Sequence, residues 1–435
     1  MKVSVIGLGK LGLPLVASIA SKGFDVFGVD INKEVVDNLN LGKTSINEPG
    51  LLNLISKYKK NIKATLDLKR AVLNSEITFI ITPTPSLTNG YFSLKYINPV
   101  AVEIGKALKV KKDYHLVVLV STVMPGSTDK IKKVLEKYSG KICVQDFGLC
   151  YNPEFIALGS VIYNLLNPDF ILIGESDKRA SRILQQFYQR YCSRKVKFAV
   201  MSFVNAELTK ISVNTYITTK ISYANMLSEI CEKLPGGNVD SVTSALGLDS
   251  RIGAKYLKGG ASFGGPCFPR DNVAFISLAR NLKTNYDISL ATHKTNLKQV
   301  ERLAEKVLQY ATQKKVVGIL GMSYKPFTDV IEQSTGLLLA QLLIKEGISL
   351  NLHDPISLQI TKKVLGKNAN YVEDLKQCIK NSNVIVITTF WPDYGHLKSE
   401  WFKGVKVVID PWRMLNLNQL PKTVSYIPFG LNLFF

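Results

Sequence analysis

The sequence of 435 residues lacks any uninterrupted apolar run approaching the roughly 20 residues that a membrane-spanning helix needs. Its apolar runs, such as residues 116–120 and 384–388, have the length of strands. The first residues lead directly into an apolar strand at residues 2–6, without the architecture of a signal peptide. We therefore expect neither a leader nor stable membrane insertion.

The sequence also lacks metal-ligand spacing, because no Cys-x-x-Cys pair or similar motif occurs. No metal site is predicted. Cysteines scattered in this way are typical of a cytoplasmic protein with reduced thiols. There are six of them: Cys143, Cys150, Cys192, Cys231, Cys267 and Cys378.

Acidic side chains are scarce, with 34 Asp and Glu against 55 Lys and Arg, so the net charge is +21. Such an excess can indicate a polyanionic partner, such as nucleic acid or a membrane surface. The basic residues are spread along the whole chain, with no basic tail and no aromatic–basic repeat. This spread favours a generally basic surface with pockets for anionic small molecules over a nucleic-acid partner.

A dinucleotide-binding fingerprint is present at the start of the chain. An apolar strand is followed by a glycine-rich turn and an apolar helix, and Asp30 lies eighteen positions after the last glycine. In this motif the first glycine makes the turn, the second admits the pyrophosphate and the third lets helix and strand pack. A carboxylate at Asp30 binds the adenosine ribose and disfavours NADP, so we predict NAD. The turn reads Gly7-Leu8-Gly9-Lys10-Leu11-Gly12.

Hydroxyl side chains follow two further predicted strands. Residues 77–81 lead into Thr82-Pro83-Thr84, and residues 116–120 lead into Ser121-Thr122. Ligands of doubly wound sheets bind beyond the carboxyl ends of the strands, which places these residues on the cofactor side. Glu154 follows another strand end, although ordinary turn chemistry or a solvated carboxylate would account for each position alone.

Residues 204–232 contain neither proline nor glycine and predict one long helix. Lys210 and Asn214 are four residues apart and therefore share one face. The functional hypothesis places both in an active site. The structural alternative pairs Lys210 with Glu207, three residues before it.

Cys267 lies in the stretch Gly264-Gly265-Pro266-Cys267-Phe268-Pro269-Arg270-Asp271. Proline suits the first turn of a helix, so the thiol is predicted just before a helix N-terminus and beside Arg270, two influences that favour the thiolate. Asp271 would lie one turn further on the same face. The alternative is a buried structural cysteine in a turn.

A second α/β unit is predicted after residue 306, from strands at residues 315–320, 348–353, 384–388 and 405–409 and a helix at 334–345. Its glycine spacing is not a dinucleotide fingerprint. The apolar residues 426–435 are expected to pack against the body of the protein.

These motifs, in this order, resemble the nucleotide-sugar 6-dehydrogenases. The resemblance covers about residues 1–415 and also rests on residues 47–51, 121–126, 152–155, 167–169, 206–210, 251–253 and 324–326. It implies two Rossmann-like, doubly wound α/β domains joined by a long central helix and a helical domain. The implied domains are 1–200 for NAD, 201–305 for dimerisation and the cysteine loop, and 306–435 for the nucleotide sugar.

The resemblance implies a four-electron oxidation of a sugar C6 alcohol to a carboxylate, using two NAD⁺ in succession. Cys267 would be the nucleophile that forms a thiohemiacetal and then a thioester. Lys210 and Asn214 would stabilise oxyanions, Asp271 and Thr122 would move protons through a water, and Glu154 would take part in hydrolysis.

Further residues match the family's binding positions. The implied cofactor contacts, besides the fingerprint and the hydroxyl residues, are Lys33 and Arg270. The implied substrate contacts, besides Glu154, Lys210 and Asn214, are Phe155, Arg251, Tyr256, Leu257, Lys258, Gly264, Tyr324 and Lys325. Arg251 would reach a neighbouring subunit in a homodimer or higher homo-oligomer.

Three positions depart from the family pattern. Leu158 replaces a second glutamate, Glu332 stands where an arginine is common, and Val35 replaces an arginine near Asp30, for which Lys33 could substitute. UDP-glucose, converted to UDP-glucuronate for polysaccharide biosynthesis, is the favoured substrate. The alternatives are GDP-mannose, a UDP-N-acetylhexosamine, or a catalytically impaired protein that binds nucleotide sugars.

Overall fold

The computed structural model describes residues 1–311 and 315–432, and the chain divides into two compact units, Met1–Ser212 and Val213–Phe435. Helix α9 (Phe203–Lys233) includes residues of both, as expected for a stretch without proline or glycine. The predicted finer division into three domains stays a prediction.

The first unit is a sheet whose strands alternate with helices. Its elements before α9 are β1 (Lys2–Ile6), α1 (Gly12–Ser21), β2 (Asp25–Val29), α2 (Lys33–Asn40), α3 (Leu51–Lys57), β3 (Ile62–Thr65), α4 (Leu68–Leu73), β4 (Ile77–Ile80), α5 (Ile97–Val110), β5 (His115–Leu119), α6 (Ser127–Ser139), β6 (Phe147–Tyr151), α7 (Val161–Leu166), β7 (Phe170–Glu175), α8 (Lys178–Tyr191) and β8 (Lys197–Met201).

The strand order of this sheet is β3-β2-β1-β4-β5-β6-β7-β8, and only the β6–β7 pair among the strands described is antiparallel. Every residue of β4 and β5 is buried, because helices cover both faces of the sheet. The strand order reverses direction between β1 and β4. In doubly wound sheets the crevice at such a point, beyond the carboxyl ends of the strands, is where ligands bind.

The second unit repeats this arrangement with a parallel sheet. Its elements after α9 are α10 (Val239–Leu248), α11 (Phe268–Asn281), α12 (Asp287–Leu308), β9 (Val316–Leu320), α13 (Thr335–Lys345), β10 (Ser349–His353), α14 (Leu358–Leu365), β11 (Asn370–Tyr371), α15 (Leu375–Lys380), β12 (Val384–Ile387), β13 (Val407–Asp410) and β14 (Ser425–Pro428). The strand order is β11-β10-β9-β12-β13-β14.

Two sheets of this topology, with the long helix between them in sequence, confirm the predicted fold class. The apolar C-terminal stretch contributes a sixth strand, β14, beside β13, which the sequence did not predict. Residues 433–435 of that stretch lie outside the described residues. No helix within the described residues combines the length and apolarity needed to cross a membrane.

Candidate active site

The glycine-rich turn between β1 and α1 leaves room where the fingerprint requires it. Gly7 has a φ of 101° and its amide donates to the Val29 carbonyl at 2.8 Å. A Cβ on Gly12 would lie 1.8 Å from the Gly7 carbonyl oxygen, so only glycine permits this helix–turn packing. A Cβ on Gly9 would meet nothing within 4 Å. The open space beside Gly9 agrees with the predicted approach of a pyrophosphate at this glycine.

Asp30 directly follows β2 and faces this turn. Its carboxylate accepts hydrogen bonds from the Leu8 amide at 2.8 Å and from the Asn32 amide at 2.9 Å. These bonds fix the carboxylate at the rim of the turn. Lys33, predicted as a further cofactor contact, is directed to Asp37 at 2.6 Å, and its side chain is 76% exposed.

The predicted hydroxyl residues gather at the same edge of the sheet. Ser121, after β5, donates to the Thr82 carbonyl, after β4, at 2.6 Å. Thr84 donates to the Thr122 carbonyl at 2.8 Å. These two hydrogen bonds connect the loops that follow β4 and β5. Pro83, between Thr82 and Thr84 in sequence, is exposed.

Glu154 and Lys210 meet in the first unit, after β6 and on α9. The Lys210 ammonium donates to the backbone carbonyl of Glu154 at 2.6 Å and lies 4.5 Å from the ring centroid of Phe155. Loss of solvation raises the pKa of Glu154 to about 7, against the opposing effects of a hydrogen bond from Tyr188 and the charge of Lys210. A carboxyl group with such a pKa can exchange a proton near neutral pH.

The alternative in which Glu207 pairs with Lys210 is wrong. Glu207 is fully buried and its carboxylate accepts from the amides of Gly126 at 2.6 Å and Thr128 at 2.7 Å, and from the Thr128 hydroxyl at 2.6 Å. It therefore caps the N-terminus of α6, where anions are favoured. Lys210 instead donates to the backbone carbonyl of Glu154.

Cys267 occupies the N-cap position of α11 in the second unit and is exposed. Its carbonyl accepts from the Asp271 amide at 2.8 Å, and Pro269 lies in the first helical turn. The predicted position before a helix N-terminus is therefore observed, and the alternative of a buried cysteine is wrong. The partial positive charge of a helix N-terminus stabilises a thiolate at this position.

The loop that carries Cys267 is anchored from both sides. Asn296 of α12 both donates to and accepts from the backbone of Phe263, at 2.9 and 2.7 Å. The Gly265 amide donates to the Glu332 carbonyl at 2.9 Å, and a Cβ on Gly265 would lie 2.6 Å from the Tyr324 ring. The thiol thus stands on a loop that neighbouring segments hold in place.

Asp271 lies one turn after Cys267 and is 1% exposed. Its carboxylate accepts from the side-chain amide of Asn214 at 2.6 Å, and its other oxygen lies 3.6 Å from Nε of Arg270. The structure thereby brings together three residues that the sequence predicted. Arg270, predicted as a cofactor contact, belongs to the second unit, whereas the other predicted cofactor contacts belong to the first.

The predicted substrate residues of the second unit differ in exposure. Tyr256 is exposed with a φ of 63° and packs edge-on against Phe268, whereas Leu257 is buried. Arg251 is 87% exposed on its side chain and pairs with Asp249 at 2.6 Å. The remaining ones have intermediate or high exposure: Lys258, Gly264, Tyr324 and Lys325.

Two of the departures from the family pattern have a structural explanation. Leu158 packs against the apolar core of the first sheet. The position at which the family carries a second glutamate therefore makes an apolar contact in this chain. The side chain of Glu332 is exposed, and its contact with the cysteine loop is made by its backbone carbonyl. That contact does not depend on the identity of residue 332.

A second turn of the dinucleotide type was missed in the sequence. Gly321, after β9, has a φ of 107° and donates to the His353 carbonyl at 2.8 Å, as Gly7 does to Val29. Asp354 accepts from the amides of Met322 at 2.8 Å and Ser323 at 2.9 Å, which corresponds to Asp30 and Leu8. The glycine that packs against this turn is Gly336, fifteen residues later, too far for the fingerprint spacing to detect.

Comparisons with known proteins find similarity along most of the chain. Models of the UDP-glucose/GDP-mannose dehydrogenase family match residues 1–192 (NAD binding domain), 204–298 (central domain) and 318–417 (UDP binding domain). The chain is 33% identical to the UDP-glucose 6-dehydrogenase AglM of Haloferax volcanii, over 95% of this chain and 97% of that protein. It is 31% identical to the GDP-mannose 6-dehydrogenase of Pseudomonas aeruginosa, over 89% and 91%.

A solved structure shows the same fold over the whole chain. The UDP-glucose dehydrogenase of Pyrobaculum islandicum superposes with a TM-score of 0.90 at 32% identity, covering 99% of this chain and 98% of that one. The match to the NAD binding domain, over residues 1–192, confirms the predicted cofactor, NAD.

Proposed function

The chain belongs to the UDP-glucose/GDP-mannose dehydrogenase family, a family of nucleotide-sugar 6-dehydrogenases, and we propose that it oxidises UDP-glucose to UDP-glucuronate. The observation that carries the proposal is the exposed Cys267 at the N-cap of α11, on a loop anchored from both sides. A protein that only binds nucleotide sugars has no use for a thiol presented in this way.

The proposed reaction uses the residues in the following roles. NAD⁺, when bound, accepts a hydride in each of two oxidations. The Cys267 thiolate adds to the aldehyde carbon formed by the first oxidation, giving a thiohemiacetal whose second oxidation leaves a thioester. Water then cleaves the C–S bond, which returns the thiol and releases the carboxylate.

Charged and polar groups support these steps. Lys210 and Asn214 would stabilise the oxyanions, because a positioned cation and amide act strongly where charge develops. Asp271, together with Thr122 and a water, would move protons. Glu154 would assist the attack of water on the thioester, a role that suits its pKa of about 7.

We propose that the first unit positions NAD through residues 7–12 and Asp30, with Thr82, Pro83, Thr84, Ser121 and Thr122 along the same edge. Substrate contacts are proposed for Phe155, Arg251, Tyr256, Leu257, Lys258, Gly264, Tyr324 and Lys325. The family model that describes a UDP binding domain, at residues 318–417, supports a nucleotide-sugar substrate.

A panel of nucleotide sugars tests the proposal. UDP-glucose, GDP-mannose and UDP-N-acetylhexosamines are each incubated with NAD⁺, and NADH and uronic acid are quantified. We expect two NADH per sugar with UDP-glucose. Turnover of another nucleotide sugar in place of UDP-glucose would contradict the substrate assignment. One NADH per sugar would contradict the thioester route. No NADH from any sugar would favour a protein that only binds nucleotide sugars.

An Asp30→Ser variant should bind NAD⁺ more weakly, because it loses a charged partner for the adenosine ribose. We expect the KM for NAD⁺ to rise about tenfold or more and the preference over NADP⁺ to shrink. Steady-state kinetics with both cofactors measure this. Glu103→Ser, which removes an exposed carboxylate of α5 that pairs with Lys106 and belongs to no predicted site, is the control and should leave both constants unchanged. An unchanged KM for NAD⁺ in Asp30→Ser would contradict the role of Asp30.

The second unit carries an apolar stripe that supports a homodimer. Tyr216, Tyr223, Met226 and Ile230 follow helical spacing on α9 and are 67%, 49%, 44% and 45% exposed. We propose that a second copy of the chain covers this stripe, since exposed apolar stripes mark interaction sites. Light scattering should give the mass of a dimer or higher oligomer, and Tyr223→Glu should lower it. A monomeric wild-type protein would contradict the proposal.

We place the enzyme in the cytoplasm, where NAD⁺ and nucleotide sugars are made, and its product in polysaccharide biosynthesis as an activated uronic acid. Cell fractionation tests the first point. Recovery of the protein outside the cytoplasmic fraction would contradict it. Loss of uronic acid from surface polysaccharide in a deletion strain tests the second.

A further inference from the structure

The turn at the end of β13, Asp410-Pro411-Trp412-Arg413, belongs to none of the sites described above. Asp410 fixes its shape, because this buried carboxylate accepts from the amides of Trp412 at 3.1 Å and Met414 at 2.7 Å. Arg413 has a φ of 56°, in the left-handed region that residues other than glycine rarely adopt. Strain of this kind persists only where the surroundings hold the residue in place, and it is concentrated at functional positions.

The guanidinium of Arg413 uses all five of its N–H groups. Two pair with the carboxylate of Asp240, in the first turn of α10, at 2.7 and 2.8 Å. Two more donate to the carbonyls of Pro411 at 2.9 Å and Phe429 at 2.8 Å. The fifth donates to the carbonyl of Gly259 at 2.7 Å. Because the side chain is also 5% exposed, it serves to join segments of the protein rather than to bind a ligand.

Gly259 belongs to the loop at residues 258–264, which carries proposed substrate contacts and leads to the reactive cysteine. The next residue, Gly260, packs against the same turn, since a Cβ on it would lie 2.7 Å from the Trp412 ring. A Cβ on Gly259 would lie 2.7 Å from the Ala224 carbonyl oxygen, so this residue also fits closely. The turn at the end of β13 thus holds two successive residues of the loop, one by a hydrogen bond and one by packing.

The rest of the loop is held by side chains of two helices. Asn225 of α9 is 1% exposed, accepts from the Gly260 amide at 2.8 Å and donates to the Ala261 carbonyl at 3.2 Å. The hydroxyls of Ser262 and Thr335, the latter on α13, lie 2.8 Å apart. Arg413 therefore acts at the start of the loop, next to the exposed side chain of Lys258.

Lys258 lies near the ion pair that orients Arg413. Loss of solvation raises the pKa of the Asp240 carboxyl, but its hydrogen bonds to Arg413 and the charges of Arg413 and Lys258 outweigh this effect and lower the pKa. Since Gly259 directly follows Lys258, the bond from Arg413 to the Gly259 carbonyl fixes the backbone from which the lysine projects.

We infer that Arg413 is a positioning residue, which holds residues 258–264 in the conformation that binds the nucleotide sugar. The inference rests on the proposed function, because the loop has this role only if its residues contact a nucleotide sugar. Arg413 acts through Gly259 and does not touch the substrate.

The expected effect is on substrate binding. A loop that is held in place before the substrate arrives loses little conformational freedom when the substrate binds. Without the bond from Arg413, binding has to order the loop, so the KM rises while kcat changes little. Lysine keeps the positive charge opposite Asp240, but it lacks the planar fork that reaches Asp240 and Gly259 together.

The test is an Arg413→Lys variant, examined by hydrogen exchange of the loop amides and by steady-state kinetics. We expect the amides of residues 259–264 to exchange about tenfold faster than in wild type. The KM for UDP-glucose should rise about tenfold, with kcat within about threefold of wild type.

Arg302→Lys is the matched control. Arg302 of α12 is also a partly buried arginine, which pairs with Glu232 at 2.5 Å and lies 4.2 Å from the ring centroid of Phe429. Within the described residues its hydrogen bonds go to Glu232 and Gln299 rather than to the 258–264 loop. Loop exchange and the KM for UDP-glucose should stay at wild-type values in this variant.

The outcomes separate the inference from the proposed function. A wild-type protein that forms no NADH from any sugar overturns the proposed function, whereas loop exchange still shows whether Arg413 holds the loop. With normal wild-type turnover, a raised KM without faster loop exchange in Arg413→Lys overturns the inference, because Arg413 would then contact the substrate directly. Faster exchange with an unchanged KM, unchanged values of both, or equal changes in Arg302→Lys also overturn it.

A second variant keeps the inference testable if Arg413→Lys does not fold. Gly260→Ala displaces the loop from the same turn, because its Cβ would meet the Trp412 ring. We expect the same increase in loop exchange and in the KM for UDP-glucose. Wild-type values of both in Gly260→Ala overturn the inference.

Discussion

Replacing Cys267 with serine is expected to abolish the four-electron reaction, with uronic acid formation falling by about 10³-fold or more. A serine hydroxyl in this loop stays protonated at neutral pH and is a far weaker nucleophile than a thiolate. The aldehyde then cannot become a thioester. NADH counted per sugar consumed should drop from two to one or none, and no uronic acid should accumulate in mass spectra.

Cys192→Ser is the control for this substitution. Burial raises the pKa of the Cys192 thiol to about 11, so this thiol is protonated and unreactive at neutral pH. The variant should retain two NADH per sugar. Full stoichiometry in Cys267→Ser would remove Cys267 from the proposed role, and loss of activity in both variants would indicate a general effect of removing thiols.

An Asp271→Asn variant is expected to fold normally and to lose about 10² to 10³-fold in kcat, which is the size of a general acid–base contribution. Asparagine keeps the shape of the side chain and still offers an oxygen to Asn214. What disappears is the negative charge one turn after Cys267. Steady-state kinetics should show the loss in kcat with little change in KM, and the melting temperature should stay close to wild type.

Asp287→Asn is a suitable control, because Asp287 is likewise an acidic residue in the first turn of a helix but is exposed. Both substitutions remove the same favourable interaction with a helix N-terminus. Only Asp271 is buried beside Asn214 and close to the cysteine loop. A wild-type kcat in Asp271→Asn, or equal losses in both variants, would contradict proton transfer by Asp271.

Local features were predictable because neighbours in the chain create them. The turn at residues 7–12 depends on Gly7 and Gly12, and the absence of proline and glycine permits the length of α9. The position of Cys267 at a helix N-cap follows from Pro269 in the first turn. In each case the residue types and their spacing are sufficient.

The partners of buried charges were not predictable. A spacing of three residues permits Glu207 to pair with Lys210, which was the structural alternative, yet the Glu207 carboxylate binds the start of α6, 81 and 79 residues away in sequence. At 0% exposure the carboxylate requires several donors, and the N-terminus of α6 supplies amides that Lys210 cannot match. Sequence spacing carries no information about such a cap.

The sequence by itself determined the NAD fingerprint and the placement of a thiol before a helix, since each depends on contacts within a few residues. It also determined the fold class, through the order of its motifs along the chain. Only the tertiary structure decided what surrounds the reactive groups, namely Tyr188 beside Glu154, and Asn296 and Glu332 around the cysteine loop. It also decided that the turn after β9, at Gly321, packs against Gly336 as the turn at Gly7 packs against Gly12. These contacts join segments far apart in the chain, and their partners are chosen by packing and by the need of buried polar groups for hydrogen bonds.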